Sequence, residues 1–355
     1  MAENKVRRDA SMDALRVLAC FMVIATHVVT QSKIRVSVGS SRWNLMLFWN
    51  CAVHFILPVF FMLAGAFSKS TDKRQAIGKS IFYFIAFVLS SVFYYFSDAV
   101  LSGEKISFWG VVYGIISYKY HLWFLLNMVV VTLLSPLMNR IEENDLPYAC
   151  ALMAIFTVGF KSISYFCANI EPVALLSGLI SELVPSSFMF CGYFLLGKLL
   201  YIKKEDLKSK RTAAALVLTI TTVVAFFVNK RICDGSGLID ERFFSNDSIF
   251  LYIQCICLFI LFLNINVPVK LEKINAAVVP KIFGIYIIHI LVIDIITHFG
   301  ITPAGIGGIF PTSFWTTFLL IPLETVIVYA LSWLLSFPLY KVEKLLRRFC
   351  RMLVS

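Results

Sequence analysis

The chain has 355 residues, of which 59% are hydrophobic and only 15% charged, with a net charge of +11 and a mean hydropathy of +0.83. Soluble domains carry about 25% charged residues, so this composition excludes a soluble enzyme or binding module and identifies a polytopic membrane protein. The positive charge follows the pattern that orients membrane helices, and it gives no argument for nucleic-acid binding.

Crossing a hydrocarbon core of about 30 Å takes roughly 20 helical residues. Ten stretches qualify, near 12–32, 46–68, 79–101, 121–140, 147–168, 183–202, 211–230, 247–265, 280–299 and 315–340. Only helices and closed barrels satisfy their backbone groups in lipid, so the expected fold is all-α: a polytopic bundle of about ten transmembrane helices. A shorter apolar piece at 106–118 is expected to be re-entrant or interfacial. The expected organisation is a cytoplasmic tail at 1–11, one membrane domain at 12–340 and a basic cytoplasmic tail at 341–355. Helix one is expected to be an uncleaved anchor, because Arg16 interrupts its apolar run and no small-residue cleavage site follows.

Charge orients the bundle. With the N-terminus inside, Lys5, Arg7, Arg8, Lys69, Lys73, Arg74, Lys79, Arg140, the cluster from Lys198 to Arg211, Lys270, Lys273, Lys281 and the cluster from Lys341 to Arg351 all fall in the cytoplasm. The outer side keeps Lys33, Arg35, Arg42, Lys105, Lys119, Lys230, Arg231 and Arg242. Both termini are therefore expected to be cytoplasmic.

Helix one carries the most informative pattern. Arg16 and His27 are eleven residues apart, which at about 100° per residue is three turns with roughly 20° left over. They share a face with Cys20, and Asp13 lies one turn before Arg16. Ionisable groups within a membrane span are costly unless they face protein or water, so this stripe is expected to line a site or channel. Helix two ends in PVFFMLAGAF, where Gly65 between Ala64 and Ala66 permits close helix approach. Helix four opens with His121 and Trp123, and Asn127 lies deeper. Helix nine holds Tyr286 and His289, then Asp294 and His298, the last expected at the interface. His54, Lys161 and Glu324 are further polar groups inside spans. The nine cysteines include no C-x-x-C pair and specify no metal site, although Cys51, Cys167 and Cys233 leave room for one outer bridge.

DALRVLACFMVIATHV with its Arg-x10-His spacing, PVFFMLAGAF, HLWFL and GIYIIH together resemble the acyltransferase family 3 membrane proteins. Those proteins move acyl groups, usually acetyl, onto sugars and cell-envelope glycans. The resemblance runs from about residue 11 to residue 340, and the HLWFL form resembles the subgroup of enterobacterial-antigen and glucan acyltransferases and the membrane half of vancomycin-resistance serine racemases. It implies a bacterial plasma-membrane enzyme with acetyl-CoA as donor, an envelope sugar or glycan as acceptor, membrane lipid as surroundings and no metal. It further implies His27, Arg16 and Asp13 in catalysis, and His121, Trp123, Asn127, Tyr286 and His289 in substrate binding. Donor binding would fall to Arg16 with Lys73, Arg74 and Lys79. Two departures stand out: no Arg-x-x-Arg follows helix two or three, and no extracytoplasmic hydrolase-like domain is present.

Acyl transfer to a hydroxyl requires removal of the hydroxyl proton. Histidine suits that role, and a covalent acyl-histidine is the alternative. Arg16 would bind a phosphate of the donor or orient Asp13. Buried His, Asp, Glu and Lys also occur in transporters, and a sensing module related to the racemase-linked domains is a third reading. Oligomeric state is not legible.

Overall fold

The computed structural model describes residues 8–34, 36–167, 170–300 and 314–354; Lys5, Arg7 and Arg35, counted above for their charge, lie outside them. The described residues form helices α1 (Ala10–Lys33), α2 (Ser41–Val53), α3 (Pro58–Phe67), α4 (Lys73–Ser102), α5 (Phe108–Ile116), α6 (Trp123–Met138), α7 (Leu146–Ala154), α8 (Phe160–Phe166), α9 (Glu171–Leu183), α10 (Ser186–Ile202), α11 (Lys204–Leu207), α12 (Arg211–Ser236), α13 (Ile249–Phe262), α14 (Val269–Val278), α15 (Ile282–His298) and α16 (Phe314–Met352), with no strand among them. Among the described residues nine helical stretches are long and apolar enough to cross a membrane, and Ser187–Ile202 is a shorter apolar helix. The all-α polytopic bundle is as expected.

Three details differ from the hydropathy reading. Residues 341–352, expected as a tail, continue α16, because nothing between Pro338 and Met352 stops a helix. Two helices, α9 and α14, flank spans where loops were expected. All nine cysteines are free thiols.

The chain ascends and descends between two ends of the bundle. The end where α1 begins and α16 finishes is called the basic end here, and the other the far end. Asp9 starts α1 by accepting the amide protons of Ser11 and Met12 at 3.1 and 3.2 Å, a side-chain N-cap.

Proline breaks the second span and perturbs α6, and in both places a side chain takes up a backbone carbonyl. Pro58 interrupts the second span, which passes through a tight turn at His54–Ile56. The Cys51 and Phe55 carbonyls accept from Gln254 Nε2 at 3.1 Å and Cys255 Sγ at 2.8 Å, both on α13. Pro136 cannot donate to the Thr132 carbonyl, and the Ser135 hydroxyl does so at 2.8 Å.

Close packing follows the small residues. A Cβ on Gly65 would strike the Phe194 backbone, and one on Gly197 would strike the Met62 backbone. The α3 and α10 backbones therefore touch along a seam, as the Ala-Gly-Ala string led one to expect. Tyr94 on α4 ties down α15, donating to the Ile287 carbonyl at 2.6 Å and accepting from the Leu291 amide at 3.2 Å.

Candidate active site

Helix geometry puts Arg16, Cys20, Val23 and Ile24 of α1 on one wall of a cavity of about 610 Å³. The other walls come from α3, α4, α6, α15 and α16. At the basic end the mouth carries Arg16, Lys344, Arg347 and Arg351. The neck is aromatic, with Phe60, Phe67, Tyr83, Phe124 and Phe283, and the deep end is made by Tyr286 and His289.

Two of the mouth cations, Arg16 and Arg347, are each held by a carboxylate and an aromatic ring. Arg16 donates to Asp13 at 2.7 Å, Asp13 also pairs with Arg8 at 3.1 Å, and the Arg16 guanidinium lies 4.5 Å from the Phe67 ring centre. Arg347 donates to Glu343 at 2.8 Å and stacks 3.9 Å over Phe82. A guanidinium oriented by a carboxylate and an aromatic face keeps other donors of its fork for an anionic ligand.

At the deep end three imidazoles from three chain segments meet. His27 and His289 have ring centres 5.2 Å apart, and His289 and His121 are 5.4 Å apart. Tyr286 fixes the arrangement by donating its hydroxyl to the His121 carbonyl at 2.6 Å. His121 packs edge-on against Tyr94 at 5.0 Å, and His27 lies against Tyr120 at 5.4 Å. No group of His, Cys, Asp or Glu among the described residues is arranged to hold a metal ion.

Thus His27, His121, Tyr286 and His289 are brought to one place, and Arg16 lines the mouth of the chamber whose deep end Tyr286 and His289 form. Asp13 sits at the mouth as the partner of Arg16, about 21 Å along the helix from His27. Trp123 and Asn127 face away from the imidazoles: the Trp123 ring packs on Phe190, and Asn127 accepts from the Ser187 hydroxyl at 2.9 Å, both on α10. The four-residue spacing of Trp123 and Asn127 puts them together on a face that His121, in the preceding turn, does not share. Lys73, Arg74 and Lys79 are exposed at the start of α4 and do not line the cavity, although Lys79 is within electrostatic reach of Arg347 and Arg351.

The mouth residues that sequence reading missed are Lys344, Arg347 and Arg351. Their signal was available, since 340, 344, 347 and 351 fall on one helical face just as 16, 20 and 27 do. Above the imidazoles at the far end, Lys119 bridges Asp98 at 2.8 Å and Asp294 at 2.9 Å. Burial opposes the Lys119 charge, but the two carboxylates outweigh it and raise its pKa. His54 lies apart, bonded to Asn50 at 3.0 Å, and His298 is exposed. Glu324 is buried on α16, and Lys161 is half-buried on α8.

Fold and site together define a multi-pass membrane protein with a basic-mouthed chamber that ends on histidine. The acyltransferase domain family matches residues 9–337, and the chain belongs to this acyltransferase 3 family of membrane acyltransferases. It is similar to the proteins named glucans biosynthesis protein C of Salmonella paratyphi B, Salmonella heidelberg and Salmonella enteritidis, each 22% identical over 281 residues covering 70% of this chain and 70% of the relative. No solved structure matches the chain.

Proposed function

We propose that this acyltransferase takes an acetyl group from acetyl-CoA entering at the basic end and delivers it to a hydroxyl of a cell-envelope sugar or glycan. The carrying observation is the single chamber joining Arg16, Lys344, Arg347 and Arg351 to His289. A coenzyme A thioester has phosphates at one end and its reactive carbonyl at the tip of a long arm. Cations at the mouth suit the phosphates, the aromatic neck suits the arm, and an imidazole stands where the carbonyl would arrive. The basic end is then the cytoplasmic side of the bacterial plasma membrane, in keeping with the positive-inside asymmetry. A glycan acceptor accords with the relatives named for glucan biosynthesis.

The test is purified protein in lipid nanodiscs with labelled acetyl-CoA and a glucan. Thiol release coupled to ester formation is expected, and Arg16→Ala should weaken donor binding about tenfold, the loss of one charge-assisted contact. Asp13 keeps Arg8 in that variant, so the fold should persist. A well-folded protein that releases no thiol would sink the reading.

A further inference from the structure

His289 is the one member of the imidazole cluster on the chamber wall; His27 and His121 do not line it. The His289 Nδ1 stands 2.7 Å from the Tyr286 carbonyl oxygen. A carbonyl only accepts, so Nδ1 carries the proton and Nε2 the lone pair. His289 is 0% exposed, and its Nε2 has no hydrogen-bond partner among the described residues. Buried polar atoms are rarely left in that state. Behind this ring, 5.2 Å away, lies His27, which faces the far end through the partly exposed Tyr120. A donor arm filling the chamber therefore meets His289 first, with His27 behind it.

We propose that His289 is a second catalytic residue, the nucleophile that receives the acyl group from the donor, while His27 serves the acceptor; this rests on the acyl-transfer reading above. In the first step His289 Nε2 attacks the thioester carbonyl carbon. A C–N bond forms, the C–S bond breaks, and the thiolate departs with the electron pair. The acylated ring is then cationic, and its Nδ1–H remains on the Tyr286 carbonyl, which stabilises that charge. In the second step the acceptor oxygen attacks the acyl carbon as His27 takes the hydroxyl proton. The C–O bond forms, the C–N bond breaks, and the lone pair returns to Nε2. The proton on His27 is finally released to solvent and neutralises the thiolate, so thioester and alcohol become ester and thiol. Dividing the reaction in this way lets donor and acceptor occupy opposite sides of the imidazole cluster.

The half-reactions separate the two roles. Protein in nanodiscs is mixed with labelled acetyl-CoA without acceptor and quenched rapidly. The wild type should release a burst of thiol and carry label on a peptide from α15. His289→Gln should lose the burst about a hundredfold or more, and His289→Ala should regain thiol release on addition of free imidazole, which a misfolded protein would not do. His27→Gln should keep the burst but fail to acylate glucan, and His298→Ala, exposed at the far end, should behave as wild type. A burst surviving in His289→Gln, absence of imidazole rescue, or label on an α1 peptide would overturn the assignment. A wild type that releases no thiol would instead remove the acyl-transfer reading, and this inference with it.

Discussion

Asp9 joins α1 to α10 through one carboxylate. It accepts from the Ser11 hydroxyl at 2.6 Å and the Tyr201 hydroxyl at 2.8 Å, besides the two capped amides. Burial pushes its pKa up, but the bonds from Ser11, Tyr201 and the Met12 amide outweigh this and hold it below the ordinary value of 3.8. A depressed carboxyl contributes stability that is complete above the unfolded value of about 4 and is lost as pH falls through the folded value. Asp9→Ala should therefore cost about 1 kcal/mol at pH 7, the worth of a side-chain cap. That cost should shrink below about pH 4 in thermal unfolding; a deficit independent of pH would show that the charge is not what caps the helix. Lys33 poses the opposite problem. Its side chain is 1% exposed and its ammonium pairs with Glu241 at 2.8 Å. Removing only the acid strands a buried charge, so Glu241→Gln should cost about 3 kcal/mol, while Lys33→Met, which removes the charge itself, should be far milder. Equal losses in the two variants would contradict this account.

Between elements, the seam of α3 and α10 is the contact with least tolerance. Gly65→Ala puts a methyl group into the Phe194 backbone, which cannot rotate away as a side chain would. The helices must separate, at a cost of about 2 kcal/mol or more. Gly178 on α9 has nothing within 4 Å of its missing Cβ, so Gly178→Ala should be neutral or stabilise by up to about 1 kcal/mol. Melting temperatures of the two variants in the same detergent provide the comparison, and a tolerated Gly65→Ala would mean that the seam is looser than described. The seam was legible because a membrane helix has few reasons other than close packing to carry Ala-Gly-Ala. The proline break at Pro58 was present in the sequence too, yet its repair by Gln254 and Cys255 was not legible. Polar atoms of one helix advertise nothing about which distant carbonyl they will meet.

At the scale of the molecule, hydropathy anticipated the spans well because lipid imposes one rule on every crossing helix. The stripe of Arg16 and Cys20 on the chamber wall followed from helical geometry alone. The order of the histidines did not: only tertiary packing decides that His289 reaches the chamber and that His27 lies behind it. The cations of α16 share a helical face that the sequence displays, but a cation at a helix end reads the same whether it lines a cavity or merely sets topology. If the basic end is cytoplasmic, reporters inserted after Lys204 and after Leu353 should both read as cytoplasmic, and one inserted after Gly237 as external; any other pattern would reverse the assignment of donor and acceptor sides. The broken second span also bears on how the protein is made. The Cys51 carbonyl waits for a donor 203 residues further on, and at translation rates of about 5–20 residues per second that wait is roughly 10–40 s. During this interval the nascent chain holds an unrepaired bend within the bilayer. A chain terminated before Ile249 lacks that donor for good, and it is expected to be degraded faster than the full chain in a pulse-chase comparison, even though its first spans are intact.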